Sequence, residues 1–219
     1  MTSDEYDGYH EARLPYDPRR TKVWKALWEY YFSKRVSADD CVLDLGCGYC
    51  DFINSVVARR RIAMDSWPGF TRHLAHGVEA IVGSVTNLEQ LQDSGVNFAF
   101  ASNLLEHLSR PEVGRMLAEL GRKLRHGGSL TVLQPNWRYA YREYFDDYTH
   151  ISVWSHVSLP EFMSANGWEI LEVVPRFLPL TIKSRLPVSP WLIKAWLNSP
   201  IKPSGKQMLI RARPRLAPG

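Results

Sequence analysis

The sequence predicts an α/β protein built on a mostly parallel sheet with helices on both faces. Three observations predict it. From Asp40 to Gln134, short apolar runs alternate with segments of helical spacing, the signature of parallel strands joined by crossover helices. Within that region, Val42-Leu43-Asp44-Leu45-Gly46-Cys47-Gly48-Tyr49-Cys50-Asp51-Phe52 passes from an apolar run through two glycines one residue apart into the helical spacing Phe52, Val56, Val57. It reads as strand, tight turn, helix. The next apolar run, Arg61-Ile62-Ala63-Met64-Asp65, closes on an acid 21 residues beyond Asp44.

The elements follow in order. Residues 1–20 are rich in Tyr, Pro, Arg and acids without periodicity, and read as a loop or arm. From Thr21 to about Arg35, Trp24, Leu27, Trp28 and Tyr31 fall at i, i+3, i+4 and i+7, an amphipathic helix with an aromatic face. That face either packs on the core or, with the arm, lids a ligand site. Strands are expected at 41–45, 61–65, 78–82, 96–101 and 128–134, and helices near 50–59, 69–75, 86–92 and 110–125, the last capped by Gly127-Gly128. A helix near 158–165 stops at Asn166-Gly167, a strand runs from Trp168 to Val174, and Lys206–Arg213 is the last strand candidate. Two connections are long for a compact domain: the aromatic stretch 135–157 and the Pro-rich, basic stretch 176–205. The organisation expected is an N-terminal arm and cap helix over 1–36, then one domain over 37–219 carrying both excursions.

The glycine turn predicts a nucleotide-type ligand. Gly46 and Gly48 let the backbone turn sharply and approach a ligand, and the helix start after them presents unpaired N–H groups. Asp44 can accept from an amine. An acid about 20 residues past such a turn, at the tip of the second strand, is where a ribose diol is held, which points to Asp65.

These residues resemble motif I of class I S-adenosylmethionine-dependent methyltransferases, D/E-x-G-x-G-x-G. The similarity continues through Asp65, Gly83-Ser84-Val85, the segment Phe98–Leu108 with Asn103, Glu106 and His107, and Leu124–Leu130. Gln134-Pro135-Asn136-Trp137-Arg138-Tyr139 and Gly205-Lys206-Gln207-Met208 are similar to a bacterial, methyltransferase type 11-like subgroup acting on small molecules of cell-envelope glycan and lipid pathways. The resemblance implies a Rossmann-like fold with a seven-stranded sheet and an antiparallel last strand. It implies S-adenosylmethionine as cofactor, with S-adenosylhomocysteine as product. The implied cofactor residues are Asp44, Gly46, Cys47 and Gly48 near the methionine part, Asp65 on the ribose, Ser84 and Val85 beside adenine, and Asn103 at the end of strand four. Two departures stand out: Cys50 replaces the third glycine, and Ser84 sits where an acid is common.

Methyl transfer is an in-line displacement whose acceleration comes largely from positioning. A hydroxyl or amine acceptor also loses a proton, so a base titrating near working pH helps. His107, and His150 paired with Asp146, are the candidates; the pair forms only if that piece is helical. The plainer reading of His107 is a histidine bracing the turn after strand four. No histidine set has zinc-like spacing, so no metal is expected. Cys47-Gly48-Tyr49-Cys50 also matches a thiol redox motif at a helix start. A binding or regulatory protein that retains the fold without turnover is a further alternative.

Composition bounds the rest. The chain has 219 residues, 45% of them hydrophobic, enough for a full core. The polar start and the lack of an apolar run near ~18 residues disfavour secretion and membrane spanning, and three cysteines within ten residues form no disulfide framework, so a cytoplasmic protein is expected. Nine of the 27 Lys and Arg lie from Arg176 onward with no acid among them, leaving 18 bases against all 23 acids before it. This basic end suggests a phosphate-bearing or lipid-linked acceptor clamped by Arg176, Lys183 and Arg185. It also suggests peripheral contact with the inner membrane surface through Trp191, Leu192, Trp196 and Leu197. Nucleic acid is disfavoured, because the body is acidic and strand four ends in Ala101-Ser102-Asn103-Leu104 rather than the motif of amino-methylating DNA enzymes.

Overall fold

The computed structural model describes residues 16–179 and 189–215. Seven strands, β1 (Cys41–Leu45), β2 (Arg60–Asp65), β3 (Val78–Val82), β4 (Val96–Ser102), β5 (Leu124–Pro135), β6 (Trp168–Pro179) and β7 (Gly205–Pro214), form one sheet in the order β3-β2-β1-β4-β5-β7-β6. The first five pair in parallel, and β7 runs antiparallel to both β5 and β6. This is the expected Rossmann-like sheet. The strand order reverses between β1 and β4, and the crevice beyond their carboxyl ends is where open α/β sheets bind ligands.

Central strands are buried on both sides, so alternate residues feed two apolar layers. Leu43, Leu45, Met64 and Ala101 face one layer with Val113, Met116 and Leu117 of α3 (Arg110–Lys123), along with Trp154 and Trp168. Val42, Ala63, Phe98 and Phe100 face the other, with Trp24 and Leu27 of α1 (Arg19–Tyr30) and Phe52 of α2 (Asp51–Ser55). Trp24 lies edge-on to Phe52 and Phe100, with ring centroids at 5.7 and 5.6 Å. The aromatic stripe of the N-terminal helix is therefore core. The arm over 1–15 lies outside the described residues.

Several boundaries differ from expectation. The helix expected at 86–92 is absent: Ser84 Oγ accepts from Thr86 N–H and Asn87 Oδ1 from Glu89 N–H, local bonds that compete with helical ones. Leu88 and Leu91 still reach the core from these turns. The 50–59 helix shrinks to α2, because Val56 turns extended. The 69–75 helix is a 3₁₀ turn, Pro68–His73, and a second 3₁₀ turn, Phe32–Lys34, follows α1. α3 opens with a capping box between Ser109 and Glu112 and ends at Lys123, so Gly127-Gly128 is not its cap. Those glycines lie in an irregularity of β5: Val96 pairs with Leu124, and pairing resumes at Phe98 with Ser129. A Cβ on Gly128 would stand 2.9 Å from the Arg125 carbonyl oxygen and 3.0 Å from that of Asn97.

The aromatic excursion is folded rather than open. It contains α4 (Trp137–Ala140) and a 3₁₀ turn, Tyr144–Asp146. The Glu106 carbonyl accepts from Ile151 N–H at 2.9 Å and Ser152 N–H at 3.1 Å, Ser152 Oγ donates to the Leu108 carbonyl, and Trp154 Nε1 donates to that of Leu105. The excursion is thus stitched along the segment that follows β4. After it come α5 (Ser158–Ala165) and, in the basic stretch, α6 (Pro190–Asn198). Trp196 Nε1 donates to the Phe177 carbonyl and Leu197 packs on the core, so neither faces outward as expected; Trp191 and Leu192 of the same helix are exposed.

Candidate active site

The β1–α2 turn takes a left-handed backbone at Gly46, Gly48 and Cys50, with φ of 66°, 49° and 60°. Gly46 and Cys47 donate their N–H groups to the Met64 carbonyl on β2, and Gly48 N–H donates to Asp65 Oδ2 at 2.8 Å. A Cβ at Gly46 would strike Leu104 Cδ1 at 2.8 Å, whereas one at Gly48 would meet nothing within 4 Å. The turn is tight against its neighbours on one side and open at Gly48. Cys50 is fully buried, its Sγ 3.6 Å from the Phe70 carbonyl oxygen, so the side chain replacing the third glycine is accommodated in the apolar layer.

Asp44 is buried on β1, its carboxyl pushed well above the usual range by burial first and then by the charge of Asp65, while Ile53 N–H of α2 donates to it. Asp65 is raised too, by burial, against the pull of backbone N–H donors that include Trp67 and Gly48. α1 reaches the same place: Arg20 Nε and Thr21 Oγ1 donate to the carboxylate of Asp51, the first residue of α2, at 2.9 and 3.1 Å.

Around this turn stands an aromatic group that sequence reasoning missed. Tyr49 lies edge-on to Trp67 and His73, with centroids at 5.5 and 4.8 Å, and Tyr16 stacks on His73 at 5.9 Å. No periodicity links these residues; only the β2-to-3₁₀ turn brings Trp67 and His73 back over Tyr49. Gly69 leaves the room, since a Cβ there would lie 2.3 Å from the Trp67 ring.

On the other side, Asn103 follows β4 with φ 49°, and its Oδ1 accepts from Gln207 Nε2 at 3.0 Å. Asp44, Gly46, Cys47, Gly48, Asp65 and Asn103 therefore gather at the carboxyl ends of three adjacent strands, β2, β1 and β4. Ser84 and Val85 follow β3 at the sheet's edge. Ser84 is exposed and shares a hydroxyl hydrogen bond with Thr86; the Val85 side chain is buried in the core, so that side chain is not open to a ligand.

The candidate bases differ from expectation. The segment is not helical beyond Asp146, so Asp146 and His150 do not form a helical pair; Asp146 is exposed, and the acid linked to the histidines is Asp147. Thr149 Oγ1 donates to Asp147 Oδ1 at 2.6 Å and also bonds His107 Nδ1 at 2.9 Å. His150 Nδ1 donates to the Tyr144 carbonyl at 2.5 Å. Burial, reinforced by His150, drives the pKa of His107 down to about 4, so it is neutral at pH 7 and weakly basic rather than poised near it. Glu106 beside it is fully buried, and burial raises its carboxyl to about 8. The spacing of the sequence hid this trio, because His150 arrives from the excursion 43 residues after His107.

The cysteines do not support a redox site. All three are free thiols, and Cys47 and Cys50 have their Sγ atoms 3.7 Å apart. Burial pushes the Cys47 thiol well above its ordinary value, with the Cys50 hydrogen bond and the charges of Asp44 and Asp65 adding to it. A thiol so disfavoured as thiolate is a poor nucleophile.

Residues 42–128 match the family model described as a methyltransferase domain. No curated protein sequence matches the chain. Among solved structures, a SAM-dependent methyltransferase from Archaeoglobus fulgidus superposes with a TM-score of 0.68 at 18% identity, covering 95% of this chain and 98% of that one. One from Aquifex aeolicus gives 0.61 at 15%, covering 97% and 98%. A chain from the complex of the Haloferax volcanii Trm112 methyltransferase activator with a methyltransferase gives 0.64 at 14%, covering 92% and 100%. At these identities the structures speak for the fold. Residues 42–128 thus carry a methyltransferase domain within a fold shared with S-adenosylmethionine-dependent methyltransferases, and together these support a methyltransferase that uses S-adenosylmethionine as its cofactor. The crevice is compatible with that group, since the space before Gly48 is clear to 4 Å and acidic side chains line the adjoining strand ends.

No helix among the described residues is long and apolar enough to cross a membrane.

Proposed function

We propose that the chain methylates an oxygen or nitrogen of a small acceptor from a glycan or lipid pathway. The observation that carries this reading is the gathering of Asp44, Asp65 and Asn103 at the carboxyl ends of adjacent strands around the turn open at Gly48. S-adenosylmethionine supplies an electrophilic methyl on a sulfonium centre. In this reading Gly46, Cys47 and Gly48 offer backbone to its amino acid part, Asp65 accepts from ribose hydroxyls with the lone pairs left by Gly48 and Trp67, and Asp44 fixes α2 against the turn. Ser84 and the backbone of Val85 border adenine, and Tyr49 and Trp67 shield it from water. Asn103, held by Gln207, limits the acceptor side. Because His107 is a weak base, the rate rests on alignment more than on proton abstraction. Residues 1–36 act as a cap whose helix is part of the core, with 37–219 as the transferase domain.

The acceptor side is the excursions. A cleft of about 270 Å³ is lined by Tyr139, Val174, Pro175, Arg176, Pro200 and Lys202. The Arg176 guanidinium lies 3.9 Å from the Tyr139 ring centroid and donates to the Pro203 carbonyl, which fixes a cation at its wall. That favours a phosphate-bearing acceptor; Lys183 and Arg185, the other expected clamp residues, lie outside the described residues. Trp191 and Ile201, 71% and 75% exposed, favour lipid-surface contact through 176–205 at the inner membrane face. Flotation with anionic and with neutral vesicles, comparing wild type with Trp191→Ala, tests this; equal flotation in all arms removes it.

Calorimetric titration of the reduced protein with S-adenosylmethionine and S-adenosylhomocysteine, followed by labelled-methyl transfer to phosphorylated and lipid-linked sugars, tests the reading. Binding with transfer supports it. Binding with no transfer to any acceptor class favours a regulatory protein that retains the fold, a reading motivated by Cys50 and Ser84. The Haloferax relative's complex with an activator argues for repeating the transfer assay in cell extract, where a protein partner would restore it.

A further inference from the structure

Among the described residues, one potential ligand atom from each of Glu106, His107 and His150 lies within 4.8 Å of the other two. Glu106 is completely buried, and no other residue donates a hydrogen bond to either carboxylate oxygen. Ionising a carboxyl in such a place costs on the order of several kcal/mol, so Glu106 keeps its proton there unless a cation takes the proton's place, and coordination is one of the few ways to offset that cost. The histidine tautomers fit the same use. The Tyr144 carbonyl can only accept, so His150 carries its proton on Nδ1; the Thr149 hydroxyl proton goes to Asp147, so its oxygen accepts from His107 Nδ1. Each neutral ring then holds its lone pair on Nε2, and a carbonyl or carboxylate-linked partner at the other nitrogen is how metal-binding imidazoles are oriented.

We infer that Glu106, His107 and His150 form a site for one divalent first-row transition cation. Two imidazoles and one carboxylate suit zinc, manganese or iron(II) better than calcium or magnesium, which prefer all-oxygen shells, and they leave positions for water or an acceptor oxygen. The scaffold is in place, because the Glu106 carbonyl itself holds the backbone of Ile151 and Ser152 beside His150. Closing three ligands on an ion at about 2.1 Å requires side-chain movements on the order of an ångström. The site stands just after β4, on the crevice edge, yet the inference does not depend on methyl transfer.

Chelator-stripped protein, titrated calorimetrically with zinc chloride and with manganese chloride and assayed for retained metal after desalting, decides it. One ion per chain is expected, with affinity at least tenfold weaker in Glu106→Gln and in His150→Ala, each shown folded by circular dichroism, and unchanged in Cys47→Ser and His76→Ala. Glu106→Gln keeps the shape of the buried side chain, so it serves if His150→Ala misfolds. No stoichiometric binding of either ion, or binding lost in Cys47→Ser but retained in Glu106→Gln, overturns the inference. S-adenosylmethionine titration of the same samples reports separately on the cofactor crevice.

Discussion

The backbone N–H of Gly48 donates to the Asp65 carboxylate at 2.8 Å, joining the tip of β2 to the glycine turn that leaves β1. The other carboxylate oxygen accepts from Trp67 N–H at 2.9 Å. One side chain thus sets the curvature of the turn and the start of the aromatic wall.

Asp65→Ala removes both acceptors. Cofactor affinity by calorimetry is expected to fall at least about tenfold, equivalent to about 1.4 kcal/mol, and thermal stability should fall with it. Asp65→Asn retains one acceptor oxygen and should lose less on both counts. Undiminished affinity in Asp65→Ala would remove this residue from the cofactor site.

Gly46→Ala places a methyl 2.8 Å from Leu104 Cδ1 at a φ of 66°. A left-handed backbone costs a non-glycine residue about 1 kcal/mol or more, and the contact adds to that. Chemical denaturation should show the double variant Gly46→Ala/Leu104→Ala departing from additivity, because removing Leu104 relieves the contact but not the backbone strain.

The pH dependence of stability in chelator-treated protein follows from Glu106 and His107. The folded pair holds one proton from about pH 4 to 8, on Glu106. Unfolded, the pair holds one proton between about 4.3 and 6.5, on the histidine, and none above. Between those values the two contributions cancel and stability is flat. From about 6.5 to 8 the folded state binds the extra proton, so stability falls by about 1.4 kcal/mol per pH unit. Denaturation at pH 6, 7 and 8 checks the sign, and Glu106→Gln should abolish the decline.

Cys47 should resist alkylation. Its thiol is raised by burial and by neighbouring acids, so native protein at pH 8 should react with iodoacetamide at Cys47 far more slowly than a free cysteine does, by peptide mass spectrometry. Rapid labelling in the folded state would restore the redox reading.

Much of this was legible in the sequence where a local rule was strong. The apolar run, the two glycines and Asp65 located β1, its turn and β2, because strand, turn and spacing are all short-range. The 86–92 helix failed because Ser84 and Asn87 satisfy backbone groups locally, a competition periodicity does not register. Gly127-Gly128 looked like a helix cap, yet serves a strand irregularity that depends on the partner strand. The cluster of Glu106, His107 and His150, like the stacking of Tyr49 with Trp67 and His73, depends on how loops return to the sheet, and the buried state of Glu106 follows from that path alone. Lys183 and Arg185, which the charge split singled out, lie beyond what the structure describes.

Trp24, seated between Phe32, Phe52 and Phe100, gives the segment before the glycine turn an influence out of proportion to its position. A truncation starting at the domain's first strand would leave Asp44, Asp65 and Asn103 in the chain and still weaken the turn, since α2 would lose both its aromatic backing and the Arg20 tether on Asp51. The glycine turn of this chain is thus braced from a segment that lies outside the domain match altogether.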